Sequence, residues 1–174
     1  MLIRYLKVSS RALSSATSSN NYRNLKMSYD FGRMNEHQEM VGKQFITTPS
    51  FAVVGASKDQ TKVGNRILRW YQTRNFDVTP VHFKEPELEG LKCIKDILEL
   101  PSPKTTALSI ITPPKITLGV LKTAQELDIP SLWIQPGAED EAVLEYIKQN
   151  DLTDRVIHGG PCILVLGDGL RSKL

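Results

Sequence analysis

The chain has only two cysteines in 174 residues, Cys93 and Cys162, and they lie far apart. That excludes a disulfide-built scaffold, matches no metal-binding spacing, and suits a reducing compartment. No apolar run approaches the length of about 20 residues that a membrane helix needs. The net charge is only +3 and much of it sits in the first residues, so no basic field marks a nucleic-acid binder. There is no G-x-G-x-x-G fingerprint. The P-loop pattern is missing too, because Lys58 is not followed by Ser or Thr. What remains is ordinary for a globular chain: 40% hydrophobic residues, 24% charged, and a length suited to one domain with a proper core.

Residues 1–26 are unlike the rest. They carry Arg4, Lys7, Arg11, Arg23 and Lys26, six serines and no acidic residue. Leu2, Ile3, Leu6 and Leu13 can line one face of a basic helix. This is the composition of a mitochondrial transit peptide, a disordered basic tail being the plainer alternative. Met27 offers a second start, from which a cytoplasmic form would follow. The expected organisation is therefore a leader over 1–26 and a single domain over 27–174.

The domain is organised around Ser50–Arg69. Phe51-Ala52-Val53-Val54 reads as a strand buried on both faces. The small residues Gly55, Ala56 and Ser57 follow, then a polar stretch from Lys58, then a helix with Gly64 and Asn65 near its start and Val63, Ile67, Leu68 and Tyr71 at helical spacing. Strand, small-residue turn and helix N-terminus let backbone N–H groups approach a phosphate, which the helix dipole favours. The same residues also serve a tight turn that holds no ligand.

Further strands are expected over Asp77–Phe83, Leu91–Cys93 (an edge strand), Thr106–Ile111, Ser131–Ile134 and Arg155–His158. Helical segments are expected over Asn35–Phe45, over Lys95–Leu100, through Ile116–Leu127 with Ile116, Val120, Leu121, Ala124 and Leu127 on one face, and from Glu139 with Ala142, Val143, Tyr146 and Ile147 facing inward. Cys162–Leu166 is a last apolar run, and Gly167-Asp168-Gly169 reads as a turn. Pro80 argues against a central place for its strand. Trp70, Trp133, Tyr71 and Phe76 read as packing residues. Strands alternating with helices imply an α/β, Rossmann-like three-layer fold with a mostly parallel sheet. Ligands of such sheets bind outside the C-terminal strand ends. The loops GASK, HFKE, TPP, QPG and GGPC are therefore expected to converge on one crevice.

The ordered set AVVGAS, VTPVHF, G-L-K-C, IITPP, W-I-Q-P-G and G-G-P-C resembles the small stand-alone CoA-binding domain proteins, relatives of the N-terminal domain of the succinyl-CoA synthetase α subunit. The resemblance covers roughly residues 36–167. It implies that Gly55, Ala56, Ser57 and Lys58 hold the CoA phosphates beside Val63 and Gly64. It places His82 and Phe83 at the adenosine end, Ile111, Thr112, Pro113 and Pro114 under the nucleotide and pantetheine, and Gln135, Pro136 and Gly137 along the pantetheine arm. The chain departs from the family at Pro161-Cys162, where members carry Cys then Pro. The stretch after His158 is too short for the phosphohistidine domain of the larger enzyme, so ligase activity is not expected.

The expected ligand is CoA or an acyl-CoA, bound by a small protein without evident catalytic machinery, with a homo-oligomer or a partner subunit compatible with the pattern. Two alternatives stand beside it: an NADP-dependent oxidoreductase or acyl-CoA-processing enzyme subunit, and an interaction module that has lost its ligand. His82-Phe83-Lys84 at the second strand end offers a lysine where NAD would want a carboxylate, which favours CoA or NADP over NAD. A Cys162–His158 nucleophilic pair is conceivable but weaker than a packing role for a cysteine that opens an apolar run.

Overall fold

A computed structural model describes residues 33–174 of the chain. The expected leader over 1–26 lies outside the described residues. Helix α1 (Glu36–Ile46) starts at Asn35, whose side chain accepts from the Gln38 N–H while Gln38 reaches back to the Asn35 N–H. Strand β1 (Ser50–Val54), helix α2 (Val63–Gln72) and strand β2 (Asp77–Val81) follow. A hairpin of β3 (Glu87–Leu88) and β4 (Leu91–Lys92) leads, through a short 3-10 turn at Ile97–Glu99, to β5 (Thr106–Ile110). Helix α3 (Pro114–Glu126), β6 (Leu132–Ile134), α4 (Glu141–Gln149), β7 (Val156–Ile157) and α5 (Ile163–Arg171) complete the chain.

The main sheet is fully parallel, in the order β2-β1-β5-β6-β7. On one face, Phe45 of α1, Ile67 and Tyr71 of α2 and Ile163 of α5 pack on Phe51, Val53 and Trp133. On the other, Leu121 of α3 and Val143 and Ile147 of α4 pack on Ala52, Leu108, Ile110 and Ile134. These are the three layers expected of the alternation. Trp133 and Tyr71 are fully buried, and the Tyr71 hydroxyl of α2 shares a hydrogen bond of 2.8 Å with Ser109 of β5. No helix among the described residues is long and apolar enough to cross a membrane.

Pro80 is accommodated because β2 is the edge of the main sheet. The His82 N–H points outward, to the Ile94 carbonyl at 2.9 Å, and the missing Pro80 N–H would point the same way. Several expectations need correction. Leu91–Lys92 does not join the main sheet; it pairs antiparallel with Glu87–Leu88 across a turn in which Glu89 and Gly90 both have positive φ. Gly167-Asp168-Gly169 is no turn but lies inside α5. A Cβ at Gly167 would stand 2.4 Å from the Trp70 ring, so that glycine serves close helix packing rather than chain reversal. Helix α4 starts later than expected: Asp140 accepts from the Val143 N–H and caps it, Glu139 is buried ahead of it, and Ala142 faces solvent.

Candidate functional site

The strand order reverses between β1 and β5, and the chain leaves their C-terminal ends in opposite directions. That switch point opens a crevice whatever the side chains are. Here it is a cleft of about 730 Å³, within the usual range of ligand pockets. Its lining comes from the loop after β1, the end of β2, the segment before the 3-10 turn, and the first turns of α3.

The first wall is the loop from Gly55 to Lys62. Gly55 has φ +90°, and a Cβ there would meet the Thr112 backbone nitrogen at 3.2 Å. A Cβ on Gly64 would stand 2.3 Å from the Gly55 carbonyl oxygen. The end of β1 and the start of α2 therefore touch backbone to backbone. Asn65, wholly buried, donates to the Ser57 carbonyl at 2.9 Å and to the Glu89 carboxylate at 2.6 Å. Asp59 accepts from the Thr61 hydroxyl and N–H, and these bonds hold its carboxyl below the ordinary range. The loop is thus ordered before any ligand arrives. Lys62, at the N-cap of α2, offers no capping side chain, and the first turn carries no acid, so this helix end suits an anion.

The second wall is the end of β2. The His82 Nδ1 accepts from the Lys84 and Glu85 N–H groups at 3.2 and 2.9 Å, so this ring holds the turn. It stacks on Phe83, which is 70% exposed, with Lys84 on that ring at 5.0 Å. Lys58 does not line the cleft. It pairs with Glu85 at 2.8 Å across the two loops; their mutual hydrogen bond raises the lysine and lowers the carboxyl.

The third wall is Ile111-Thr112-Pro113 and α3. Thr112 and Thr117 share a hydroxyl hydrogen bond of 2.9 Å that pins the turn. Ile116, which is exposed, and Val120, which is half-buried against the core, present apolar surface to the cleft, while Thr117, Leu121 and Ala124 form the buried row. Lys62, Lys95 and Lys115 also line the cleft, and none of them forms an ion pair among the described residues. Sequence reasoning missed these lysines, along with Asp96 and Ile97. The i, i+4 spacing of Ile116 and Val120 after Thr112-Pro113-Pro114 was the one signal for the α3 wall.

Of the sequence-expected site residues, Gly55, Ala56, Ser57, His82, Phe83, Thr112 and Pro113 line this cleft. Val63 is exposed beside it and Gly64 is buried beneath the loop. Gln135, Pro136 and Gly137 stand outside it, so the five loops do not converge on one crevice. The ends of β6 and β7 lie on one side of the switch point and form their own cluster. There Gln135 accepts from the Ile163 N–H, and Trp133 Nε1 donates to the Pro161 carbonyl. Glu139, 6% exposed, accepts from the Gly159 N–H at 2.9 and 3.1 Å. Cys162 is half-buried just before α5, and burial pushes His158 below its ordinary value. No group of His, Cys, Asp or Glu among the described residues is arranged to hold a metal.

Burial raises the Glu139 carboxyl above its ordinary 4.5, against the lowering effect of the Gly159 N–H. A carboxyl raised in the folded state binds its proton more tightly there than when unfolded. Its stabilising contribution is then full below about 4.5 and is lost as pH rises through the raised folded value. Glu139→Gln keeps an oxygen for Gly159 and removes the buried charge. It should melt higher than the parent at neutral pH, with the gap closing towards the acid end of that window. Thermal melts across this range check it, and a gap that ignores pH would refute the assignment.

An open parallel α/β sheet with an anion-suited loop, an exposed aromatic and unpaired lysines around a switch-point cleft defines a nucleotide-binding class of protein. Within that class, residues 49–168 match the family described as a CoA binding domain, and the chain belongs to this family. Over 76 residues it is 33% identical to an ADP-forming acetate–CoA ligase of Methanocaldococcus jannaschii, matching 43% of this chain but only 10% of that protein. A conserved hypothetical protein from Pyrococcus furiosus superposes with a TM-score of 0.60 at 38% identity, covering 67% of this chain and 97% of that one. The dinucleotide forming acetyl-coenzyme A synthetase 1 of Ca. Korarchaeum cryptofilum, solved with phosphate and ADP, gives 0.57 at 25% identity, over 69% of this chain and 27% of that one.

Proposed function

We propose that this protein binds CoA or an acyl-CoA in the β1/β5 cleft and acts as a small binding protein rather than as a catalyst on its own. The observation that carries the reading is the coincidence, in one cleft, of the ordered Gly55–Ser57 loop with Lys62, Lys95 and Lys115. CoA brings a 5′-diphosphate and a 3′-phosphate, and needs more cationic partners than NAD does. Phe83, exposed and stacked on His82, is a platform for an adenine ring. Binding is favoured over catalysis because, beside the lysines, the acid–base side chains of the cleft, His82 and Asp96, are already engaged in its construction. His82 Nδ1 holds the Lys84–Glu85 turn, and Asp96 accepts from the Leu98 N–H.

Calorimetric titration with CoA, acetyl-CoA, NAD and NADP side by side tests the proposal. Micromolar binding of CoA or acetyl-CoA, with both dinucleotides silent, is the expected result. A preference for NADP would replace this reading with the oxidoreductase, and silence from all four would favour an interaction module.

A further inference from the structure

The β3–β4 hairpin stands outside the cleft, yet its turn is tied to the loop that lines it. Glu89, in that turn, is a non-glycine residue at positive φ, +48°. Two side chains of α2 hold it there. Gln72 Nε2 donates to the Glu89 carbonyl at 2.9 Å, and Asn65 Nδ2 donates to the Glu89 carboxylate at 2.6 Å. Asn65 and Gln72 lie two turns apart on one face of the helix. Glycine would take this backbone conformation without strain. What the glutamate adds is the carboxylate that Asn65 grips.

Asn65 is the link between the hairpin and the loop. It is 0% exposed, and its Nδ2 also donates to the Ser57 carbonyl at 2.9 Å. A flipped amide would set Oδ1 against both acceptors, so the orientation is fixed. Oδ1 is then a buried acceptor without a partner. Leaving it so costs stability, and packing alone does not account for an asparagine here.

The grip decides which way the loop peptide faces. The Ser57 carbonyl and the Lys58 N–H belong to one trans peptide and point in opposite directions. With the carbonyl held by buried Asn65, the Lys58 N–H is turned away from the underside of the loop. The N–H groups of Ala56, Ser57 and Lys58 have no hydrogen-bond partner among the described residues. Successive free N–H groups of this kind make a concavity that suits an anion. Without the Glu89 acceptor, the Asn65 amide is free to turn, and the Ser57–Lys58 peptide is free to flip its oxygen towards the anion.

The far end of the hairpin meets another wall of the cleft. The Ile94 N–H donates to the Pro80 carbonyl at 3.1 Å, and the Ile94 carbonyl accepts from His82. Lys95, Asp96 and Ile97 follow directly into the cleft lining.

We propose that Glu89 is a positioning residue for phosphate binding: acting through Asn65, it holds the Ser57–Lys58 peptide with its N–H on the anion side. This rests on the CoA reading above and deepens it. Neither Glu89 nor Asn65 lines the cleft, so both act through the loop.

The test is calorimetric titration of the full chain with CoA, in the parent and three variants. Glu89→Ala removes the carboxylate and should weaken CoA about tenfold, the size of one hydrogen bond. Glu89→Gly should weaken it as much, while relieving the positive φ and so keeping the hairpin turn. Glu89→Gln keeps an acceptor for Asn65 and should bind within about twofold of the parent. In proton–nitrogen correlation spectra of the ligand-free chain, the Ser57 and Lys58 amide signals should move in the alanine and glycine variants and stay in place in the glutamine variant. A purely structural Glu89 would lower the melting temperature but leave these signals and the CoA affinity at parental values, and that result would overturn the role alone. An equal loss of affinity in all three variants would overturn it too. A parent that does not bind CoA would overturn the CoA reading and this role together.

Discussion

Gly64→Ala should lower stability by about 2–3 kcal/mol, the usual scale of an overpacked interior site, and should abolish binding in the cleft. The added methyl would stand 2.3 Å from the Gly55 carbonyl oxygen. That neighbour is backbone, not a flexible side chain, so the strand end and the helix start must separate. They cannot separate freely. Gly55 is held at positive φ against Thr112, and Asn65, the residue after Gly64, grips the Ser57 carbonyl. The strain therefore falls on the loop that lines the cleft. Gly119→Ala is the control: it lines the same cleft, sits in α3, and its Cβ meets nothing within 4 Å. It should gain about 0.5–1 kcal/mol of helix stability. Chemical denaturation and calorimetry on both variants make the comparison. Parental stability and affinity in Gly64→Ala would show that the β1–α2 contact is dispensable. Gly55 is a poorer probe of the ligand than the sequence suggests, because its φ of +90° strains any substitution whether or not a phosphate binds there.

The double variant Lys62→Ala, Lys115→Ala should keep its stability within about 0.5 kcal/mol, as expected of exposed side chains without partners. It should nevertheless lose roughly 100-fold or more in affinity for CoA, since each hydrogen bond to a charged group is worth about 1.5–3 kcal/mol. Lys58→Ala offers the contrast, because that lysine is already paired with Glu85 and does not line the cleft. Affinity of the parent should fall as salt rises, and that slope should flatten in the double variant. The measurement is a titration with CoA at two ionic strengths. An unchanged affinity in the double variant would move the phosphates away from this part of the cleft.

These two experiments separate what was readable along the chain from what was not. The walls built by Gly55–Ser57, His82–Phe83 and Thr112–Pro113 were legible because each directly follows a strand, and a parallel sheet sends every such loop to the same edge. Pro80 spoke against a central strand through its missing N–H, and the structure puts its strand at the sheet edge. The buried strand at Phe51 was readable from its short unbroken apolar run, and the helix row at Ile67, Leu68 and Tyr71 from helical periodicity. Gly167 misled because a glycine signals a turn as readily as a close contact, and only the presence of Trp70 against it distinguishes the two.

Fold class, layer count and the edge at which ligands gather followed from local pattern, since strand and helix periods and the alternation of elements are properties of neighbouring residues. Which loops share the cleft did not. That depended on strand order, which sets the ends of β1 and β5 around the opening and turns Gln135–Gly137 and Pro161-Cys162 towards α5. It also depended on how α3 is rotated against the sheet, which points Ile116 and Val120 at the cleft and buries Thr117. The lysines at positions 62, 95 and 115 are separated by tens of residues, and nothing in their local sequence ties them together. Only packing at long range brings their charges to one cleft.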